Sequence, residues 1–245
     1  MSLNAANSEL TVTFAESVYD TSGGSGDLEV GDFALSISGG AATVTATPAS
    51  ITKTSASIWV LGLTISGTAT GSETLSVVPA GATSIYDLAG NAASTTQTGN
   101  SVSLDEKVVP TLSIASIASN NAIPTQAVEN DVVTLTLTAA ETISTPVVTF
   151  ESGAVAITDT SITYENTTCN FWTATYTVSA DDTAGAVSYS IAFSDSAGNA
   201  GTAVTSGSGS VTIYPTPAIA FAAELTDINA KIASCLLYTS PSPRD

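Results

Sequence analysis

The motif Asp-x-Ala-Gly-Asn-Ala occurs twice in this chain, once as DLAGNA starting at Asp87 and once as DSAGNA starting at Asp195. Each copy stands in the same order of features: a similar segment carrying Glu16 or Glu141 precedes it, and an SVSL or SVTI segment followed by Pro-Thr closes it. Ordered self-similarity over about a hundred residues indicates that one structural module is repeated. The sequence therefore predicts two domains of the same fold.

Both copies are rich in segments where apolar and polar residues alternate, the pattern of half-buried β-strands. Gly, Ser, Asp and Asn clusters separate these segments, and no helical period lies between them. Short strands spaced in this way favour packed β-sheets over alternating strands and helices. The strand-like segments are 9–14, 32–38, 56–65, 73–78, 132–138, 172–179 and 186–194. An all-β fold of two tandem sandwiches with a short linker is expected.

The repeat also sets the boundaries of the modules. Residues 1–108 form the first module and residues 109–216 the second, and the extra length of the first is placed near TSGGSGDLEVGD, residues 21–32. In residues 217–234 the spacing of apolar residues is helical. These apolar residues are Phe221, Leu225, Ile228 and Ile232. A linker with a short helix and the start of a third module both remain open for this segment.

The C-terminal segment CLLYTSPSPRD, residues 235–245, matches the translation of a common sequencing adapter and is interpreted as adapter read-through rather than native sequence. Excluding it removes Cys235 and leaves Cys169 as the only cysteine. No intrachain disulfide is therefore predicted.

Charge and composition exclude several classes of function. Four Lys and Arg residues stand against 22 Asp and Glu, a net charge of −18 that disfavours nucleic acid and anionic lipid as partners. No run approaches the ~20 apolar residues of a membrane span, so no membrane insertion is expected in this fragment. The start shows no signal peptide, so a secreted protein would begin further upstream.

Catalysis finds little support in the residues. The chain has no histidine, Cys169 has no evident base, and no pattern singles out a pair of carboxylates. The sequence therefore predicts a protein that is not an enzyme and requires no cofactor. Calcium remains the one ion to consider, because Asp, Glu and Asn supply its oxygen ligands.

Each module contains one tryptophan, Trp59 or Trp172, in an alternating segment. An exposed aromatic ring could stack on a sugar, which would make the protein a carbohydrate-binding module. A single tryptophan in a sandwich is more often part of the core. We expect both side chains to be buried.

The repeated motif itself has two interpretations, a turn and a calcium site. Its Asp can accept hydrogen bonds from backbone amides that follow, Gly supplies a positive φ, and Asn tolerates the left-handed region. One Asp and one Asn are too few for the six to eight ligands of calcium. Asp87 and Asn91, like Asp195 and Asn199, are therefore expected to form turns rather than to bind metal.

The strings TFAESVY, IYDLAGNAAS, VSLDEKVVPT and FSDSAGNAGTAVT, in this order, resemble the bacterial immunoglobulin-like repeats of very large surface and adhesin proteins. The resemblance covers roughly residues 5–216. It implies two tandem immunoglobulin-like β-sandwiches, strung end to end in an extracellular or cell-surface stalk, with calcium stiffening some joints. The implied partners are neighbouring repeats of the same chain and surface glycans or proteins. A carbohydrate-binding accessory module of a secreted enzyme is the alternative.

The joint between the modules is where this resemblance places an ion. Asp105 and Glu106 end the first module, and Asp131 lies in a loop of the second that could face them. The chain reads DEKVVPT where the family typically has Asp-Lys-Thr-Ala-Pro-Thr, and the second closure, TIYPTP, has no acidic residue. A calcium site at residues 105, 106 and 131 and a solvated acidic linker are the two interpretations.

Overall fold

A computed structural model describes residues 1–158, 161–168 and 170–214, together with residues 225, 228–229 and 231–232. The chain divides into two compact units, Met1–Val108 and Val109–Asp245, called module 1 and module 2 below. Cys169 and the segment interpreted as adapter read-through lie outside the described residues.

Module 1 consists of short strands that form two main sheets. The first sheet has the strand order β1-β2-β7-β6 and the second has the order β11-β9-β4, with two small pairs, β10-β3 and β5-β8, beside them. The strands are β1 Ser2–Leu3, β2 Glu9–Thr13, β3 Val18–Tyr19, β4 Phe33–Ser38, β5 Thr43–Val44, β6 Ser50–Ser55, β7 Ile58–Gly62, β8 Ile65–Ser66, β9 Thr74–Pro79, β10 Tyr86–Asp87 and β11 Ser101–Ser103.

Module 2 repeats this arrangement with longer strands. Its sheets have the orders β12-β14-β18-β17 and β13-β20-β19-β15-β16, and β13 pairs with β20 in parallel. The strands are β12 Leu112–Ser119, β13 Gln126–Val128, β14 Val132–Ala139, β15 Val147–Ser152, β16 Val155–Ala156, β17 Thr163–Thr168, β18 Phe171–Thr177, β19 Gly185–Ala192 and β20 Thr212–Tyr214.

The order of the strands identifies the fold. In both modules the first long sheet contains the first, second, fifth and fourth strands of an immunoglobulin domain, and the second contains the third, sixth and seventh. The protein is therefore all-β and consists of two tandem immunoglobulin-like sandwiches, which confirms the predicted fold class.

Alternating apolar residues bring the sheets together. In β14, VVTLTLTA, every second side chain is buried, and Val133, Leu135 and Leu137 have no exposed surface. The intervening threonines suit the outer face, because β-branched side chains favour a pleated backbone. Each module has its own cluster of buried apolar residues, and these clusters hold the sheets face to face.

Strand register shows which residues of the two modules correspond. Val12 on β2 pairs with Trp59 on β7, and Leu137 on β14 pairs with Trp172 on β18. Val12 and Leu137 are thus equivalent, and counting along each strand makes Glu16 equivalent to Glu141, as the sequence predicts.

The modules differ at two places. The connection between β3 and β4 in module 1 is long and contains a short 3₁₀ helix, Val30–Asp32, where the sequence places most of the extra residues. The first strand differs in the opposite direction, because β1 contributes two residues to its sheet and β12 contributes eight.

Helical backbone is found at the described residues of the C-terminal segment, which are Leu225, Ile228, Asn229, Lys231 and Ile232. Their apolar side chains are about half exposed. Phe221, which the sequence places on the same stripe, lies outside the described residues. Among the described residues, no helix is both long and apolar enough to cross a membrane.

Candidate functional site

The first copy of the repeated motif is a tight turn between β9 and β11, closed by hydrogen bonds to one carboxylate. The N–H of Asn91 donates to Oδ1 of Asp87 at 2.8 Å, and its side-chain Nδ2 donates to Oδ2 at 2.6 Å. The main chain closes as well, since the N–H of Asp87 donates to the carbonyl of Asn91 at 3.0 Å. Gly90 has a φ of 86°, the left-handed conformation that glycine adopts without strain.

The second copy repeats these contacts between β19 and β20. The N–H of Asn199 donates to Oδ1 of Asp195 at 2.8 Å, and its Nδ2 lies 2.8 Å from Oδ2. Gly198 has a φ of 91°, close to that of Gly90. The two motifs therefore form the same turn in the same connection of the fold.

Each turn is attached to the same neighbouring segment of its module. Asp87 pairs with Val18, two residues after Glu16, and Asp195 pairs with Ile143, two residues after Glu141. The carboxylate oxygens of both Asp residues are used by hydrogen bonds inside the turn. Each turn, formed by Asp87 and Asn91 or by Asp195 and Asn199, thus joins its connection to the edge of the sandwich. This feature is called the corner of the module below.

Electrostatics are consistent with this role at Asp87. The side-chain amide of Asn91, followed by its backbone N–H, lowers the pKa of Asp87 below its ordinary value because both bonds favour the charged form. The carboxylate is thus ionised at neutral pH and remains an acceptor for both donors.

The acidic end of module 1 is attached to the module by its backbone. Nδ2 of Asn7 donates to the carbonyl of Asp105 at 2.7 Å, and the N–H of Asp105 donates to Oδ1 of Asn7 at 2.9 Å. Asn7 is 4% exposed and has a φ of 58°, so this contact is built into the module. The N–H of Lys107 donates to the carbonyl of Ala69 at 2.8 Å, which fixes the chain just before Val108.

Two of the three carboxylates predicted for a calcium site accept hydrogen bonds from nearby groups. Oδ2 of Asp131 accepts hydrogen bonds from the N–H of Val128 at 2.8 Å and from Nδ2 of Asn121 at 2.7 Å, both within module 2. Oε1 of Glu106 accepts a short hydrogen bond from the N–H of Val108. Within the described part of the chain, no group of three or more acidic or cysteine side chains is arranged to hold a metal. The calcium site at residues 105, 106 and 131 stays a prediction.

A buried carboxylate that sequence reasoning missed lies in module 1. Glu73 has no exposed surface, and its Oε1 accepts hydrogen bonds from the N–H groups of Ala41 at 2.8 Å and Ala42 at 3.1 Å. Its Oε2 accepts from the N–H of Thr70 at 2.8 Å and from the Thr70 hydroxyl at 3.1 Å. Glu73 therefore joins two loops that are distant in sequence.

The charge of Glu73 is maintained by these donors. Burial by itself would raise its pKa, but the backbone N–H groups of Ala42, Thr70 and Ala41 outweigh burial and lower the pKa to about 2. Gly40, with a φ of 54°, leaves the space, because a Cβ there would lie 1.9 Å from Oε1 of Glu73. Glu73 stands directly before an alternating strand, where acids are commonly exposed. Thr70 is a local donor three residues earlier, but the donors Ala41 and Ala42 lie 32 and 31 residues away, and no sequence pattern indicates them.

Both tryptophans are in the cores, as predicted. Trp59 is 2% exposed and Trp172 is 7% exposed, so neither ring is available to stack on a sugar. Their indole N–H groups have no hydrogen-bond partner in the structure. Burial of the ring thus outweighs the cost of leaving a weak donor unpaired.

Comparison with known proteins gives structural neighbours only. No family model and no curated protein sequence matches the chain. A structure of titin M4 is 17% identical with a TM-score of 0.27, covering 45% of this chain and 98% of that chain. The tandem Ig repeats of Dlar are 11% identical with a TM-score of 0.22, covering 84% and 97%. A Titin-A168169 structure is 15% identical with a TM-score of 0.25, covering 83% and 98%.

The polar residues described here serve the fold. Asp87, Asp195 and Glu73 use their oxygens to hold loops, and Asn7 holds the end of module 1. The chain has no histidine to act as a general base. The hydrogen bonds of these residues close loops in both modules.

Proposed function

We propose that this chain is a non-enzymatic piece of an extracellular or cell-surface stalk, made of immunoglobulin-like modules of the kind found in bacterial adhesins. The observation that carries this proposal is the repetition of one module with one internal corner, formed by Asp87 and Asn91 and again by Asp195 and Asn199. Repetition of a self-contained module lengthens a chain without adding a new site.

The end of module 1 supports a role as a spacer. The side chain of Asn7 is hydrogen-bonded to both the carbonyl and the N–H of Asp105, and the N–H of Lys107 donates to the carbonyl of Ala69. Module 1 is therefore ordered up to the residue before Val108. Few residues then remain before β12 begins at Leu112. A module that is ordered to its last residues and joined to the next by a short connection suits a stalk of repeated modules.

The charge of the chain supports the same role. A net charge of −18 with only four basic residues makes modules of this kind repel one another and favours their solubility. Such a surface disfavours nucleic acid as a partner. The remaining partners are the neighbouring repeats of the same chain. Surface glycans or proteins would be bound by other parts of a complete stalk.

The carbohydrate-binding alternative would use exposed aromatic rings, and both tryptophans are buried. Binding to glycans is therefore an outcome that the following test distinguishes from the stalk. The test is small-angle scattering of the purified chain together with retention on insoluble polysaccharides. We expect a maximum dimension near the summed lengths of two modules and no retention. A maximum dimension near that of one module, or retention that free sugar reverses, would contradict the stalk.

A further inference from the structure

One short motif of module 2 has no role in its corner or its core. Asn166, Thr167 and Thr168 form Asn-x-Thr, the acceptor motif for attachment of a sugar to an asparagine side chain. No other asparagine of the chain is followed two residues later by Ser or Thr. The motif lies on β17, which is the last strand of its sheet, and all three residues are exposed.

The strand register makes Asn166 the counterpart of Lys53 in module 1. Lys53 on β6 pairs with Trp59, and Asn166 on β17 pairs with Trp172. The pairing shifts register directly after each of them, and both β6 and β17 are the last strands of their sheets. The two side chains therefore occupy the same position, beside the core tryptophan at the edge of a sheet.

In module 1 a charged side chain protects this position. Nζ of Lys53 lies 5.3 Å from the centre of the Trp59 ring and forms an ion pair with Asp27. A lysine on an edge strand prevents pairing with another chain, because its charge resists burial between strands. The cation over the ring also covers the tryptophan. Lys53 thus shields both the strand edge and the core beside it.

Module 2 has no such charge at the corresponding edge. Residues 109–216 contain no Lys or Arg, and Asn166 is short and uncharged. Trp172 is 7% exposed, whereas Trp59 is 2% exposed. Among the described residues, none is hydrogen-bonded to the side-chain amide of Asn166. An accessible amide therefore stands where module 1 has its lysine.

We propose that Asn166 is a glycosylation site, whose sugar covers the edge of β17 and Trp172 as Lys53 covers the edge of β6 and Trp59. Nδ2 of Asn166 forms a bond to the anomeric carbon of a sugar that is activated as a diphosphate. The bond from that carbon to the diphosphate oxygen breaks, the diphosphate leaves with the electron pair, and the amide gives one proton to a base of the transferase. This inference rests on the proposed extracellular location, because sugars of this kind are attached to exported proteins.

A tyrosine is placed to contact the first sugar. Tyr164 precedes Asn166 by two residues, so the two side chains share one face of β17 and are about 6.5 Å apart along the strand. The Tyr164 hydroxyl accepts a hydrogen bond from the N–H of Val148 at 3.0 Å, which fixes the ring. The apolar face of a sugar ring packs well on an aromatic ring. By the same register, the counterpart of Tyr164 in module 1 is Ile51, so the aromatic ring accompanies the acceptor motif.

The first test measures the mass of the full chain after secretion from yeast cells behind an added signal peptide. We expect a glycan on most molecules, which Thr168→Ala removes and Thr168→Ser retains. Lys53→Asn is the matched variant, because Thr54 and Ser55 already complete the motif there, and it should add a second glycan. A secreted chain without a sugar at Asn166 would overturn the proposal. That result would leave the stalk intact, since the stalk is tested by its dimension in solution.

The second test measures whether the sugar packs on module 2. The glycosylated chain is compared with the same chain made in the bacterial cytoplasm without a sugar, and both carry Trp59→Phe so that Trp172 reports on module 2. We expect the sugar to raise the Tm of module 2 by about 2–6 °C. Tyr164→Ile, which introduces the residue of module 1, should remove most of this rise. Equal Tm values with and without the sugar would overturn the covering role of the glycan.

Discussion

Asn91 donates two hydrogen bonds to the carboxylate of Asp87, one from its backbone and one from its side chain, and Asn199 repeats both bonds at Asp195. The two turns differ in environment, because Asp195 is 4% exposed whereas Asp87 is half-buried. Because the two turns have the same hydrogen bonds but differ in burial, comparing them shows how burial affects what the motif contributes to stability.

Replacing Asp195 with Ala should destabilise module 2 by about 1–3 kcal/mol, because the two N–H donors of Asn199 lose a buried, charged acceptor. Asp87→Ala should destabilise module 1 less, since water can replace the carboxylate there. Urea denaturation of each variant measures both effects. Glu165→Ala, at an exposed position of β17, is the matched control and should be neutral. Equal losses at Asp87 and Asp195 would contradict a dependence on depth.

The hydrogen bonds of Glu73 should make the stability of module 1 depend on pH. Its pKa is about 2 in the folded module and near 4.5 when unfolded, so its contribution is complete above pH 4.5 and is lost as the pH falls towards 2. Glu73→Gln should reduce this loss and lower stability at pH 7. Urea denaturation between pH 7 and pH 2.5 measures it, with Trp172→Phe in both proteins so that Trp59 reports on module 1. If the Glu73→Gln variant and the protein that retains Glu73 lost stability in parallel as the pH fell, Glu73 would not be the source of the pH dependence.

Gly40→Ala should destabilise module 1 by about 1–3 kcal/mol. Its φ of 54° is strained for a side chain, and the new Cβ would meet the Glu73 carboxylate. Gly99→Ala is the matched control, because Gly99 also has a positive φ, 71°, but a Cβ there meets nothing within 4 Å. Thermal unfolding compares the two variants. If they unfold alike, the close approach of Gly40 to Glu73 has no energetic role.

The buried tryptophans should give blue-shifted fluorescence that iodide quenches poorly. Trp59→Phe and Trp172→Phe assign the emission to each module, and both single variants should keep the blue-shifted spectrum. Urea should shift the emission to the red as each core opens. A red-shifted spectrum with efficient quenching in the native protein would place a ring at the surface and would revive the carbohydrate-binding interpretation.

Calcium should leave the stability of both modules unchanged, because the carboxylates of Asp87, Asp195 and Asp131 are already used by hydrogen bonds within their own modules. Thermal unfolding with calcium and with chelator is the measurement, and the two curves should coincide. A rise in Tm with calcium that Asp105→Ala removes would support the predicted site at the linker instead.

Local patterns were enough to predict seven of the strands, which are β2, β4, β7, β9, β14, β18 and β19. The alternation in 132–138 and 172–179 reflects burial on one face of a strand, which any register of the sandwich requires. The motif at Asp87 and Asp195 is local as well, since each carboxylate bonds a residue four positions away.

Contacts between distant segments could not be predicted in this way. Two of the donors to Glu73 are the N–H groups of Ala41 and Ala42, which lie 32 and 31 residues away, and nothing near Glu73 in sequence indicates them. These contacts follow from tertiary structure and have no period that a sequence can show.

The parallel pairing of β13 with β20 determines how module 2 would respond to tension along the chain. In the sequence of module 2, β13 comes early and β20 comes last. Pulling on the two ends of the module would therefore slide one strand along the other and load all their hydrogen bonds at once. In module 1, β1 and β11 pair only with antiparallel neighbours, which can open one bond at a time. Under a pulling force, module 1 would therefore unfold first and lengthen the chain, while module 2 would stay folded.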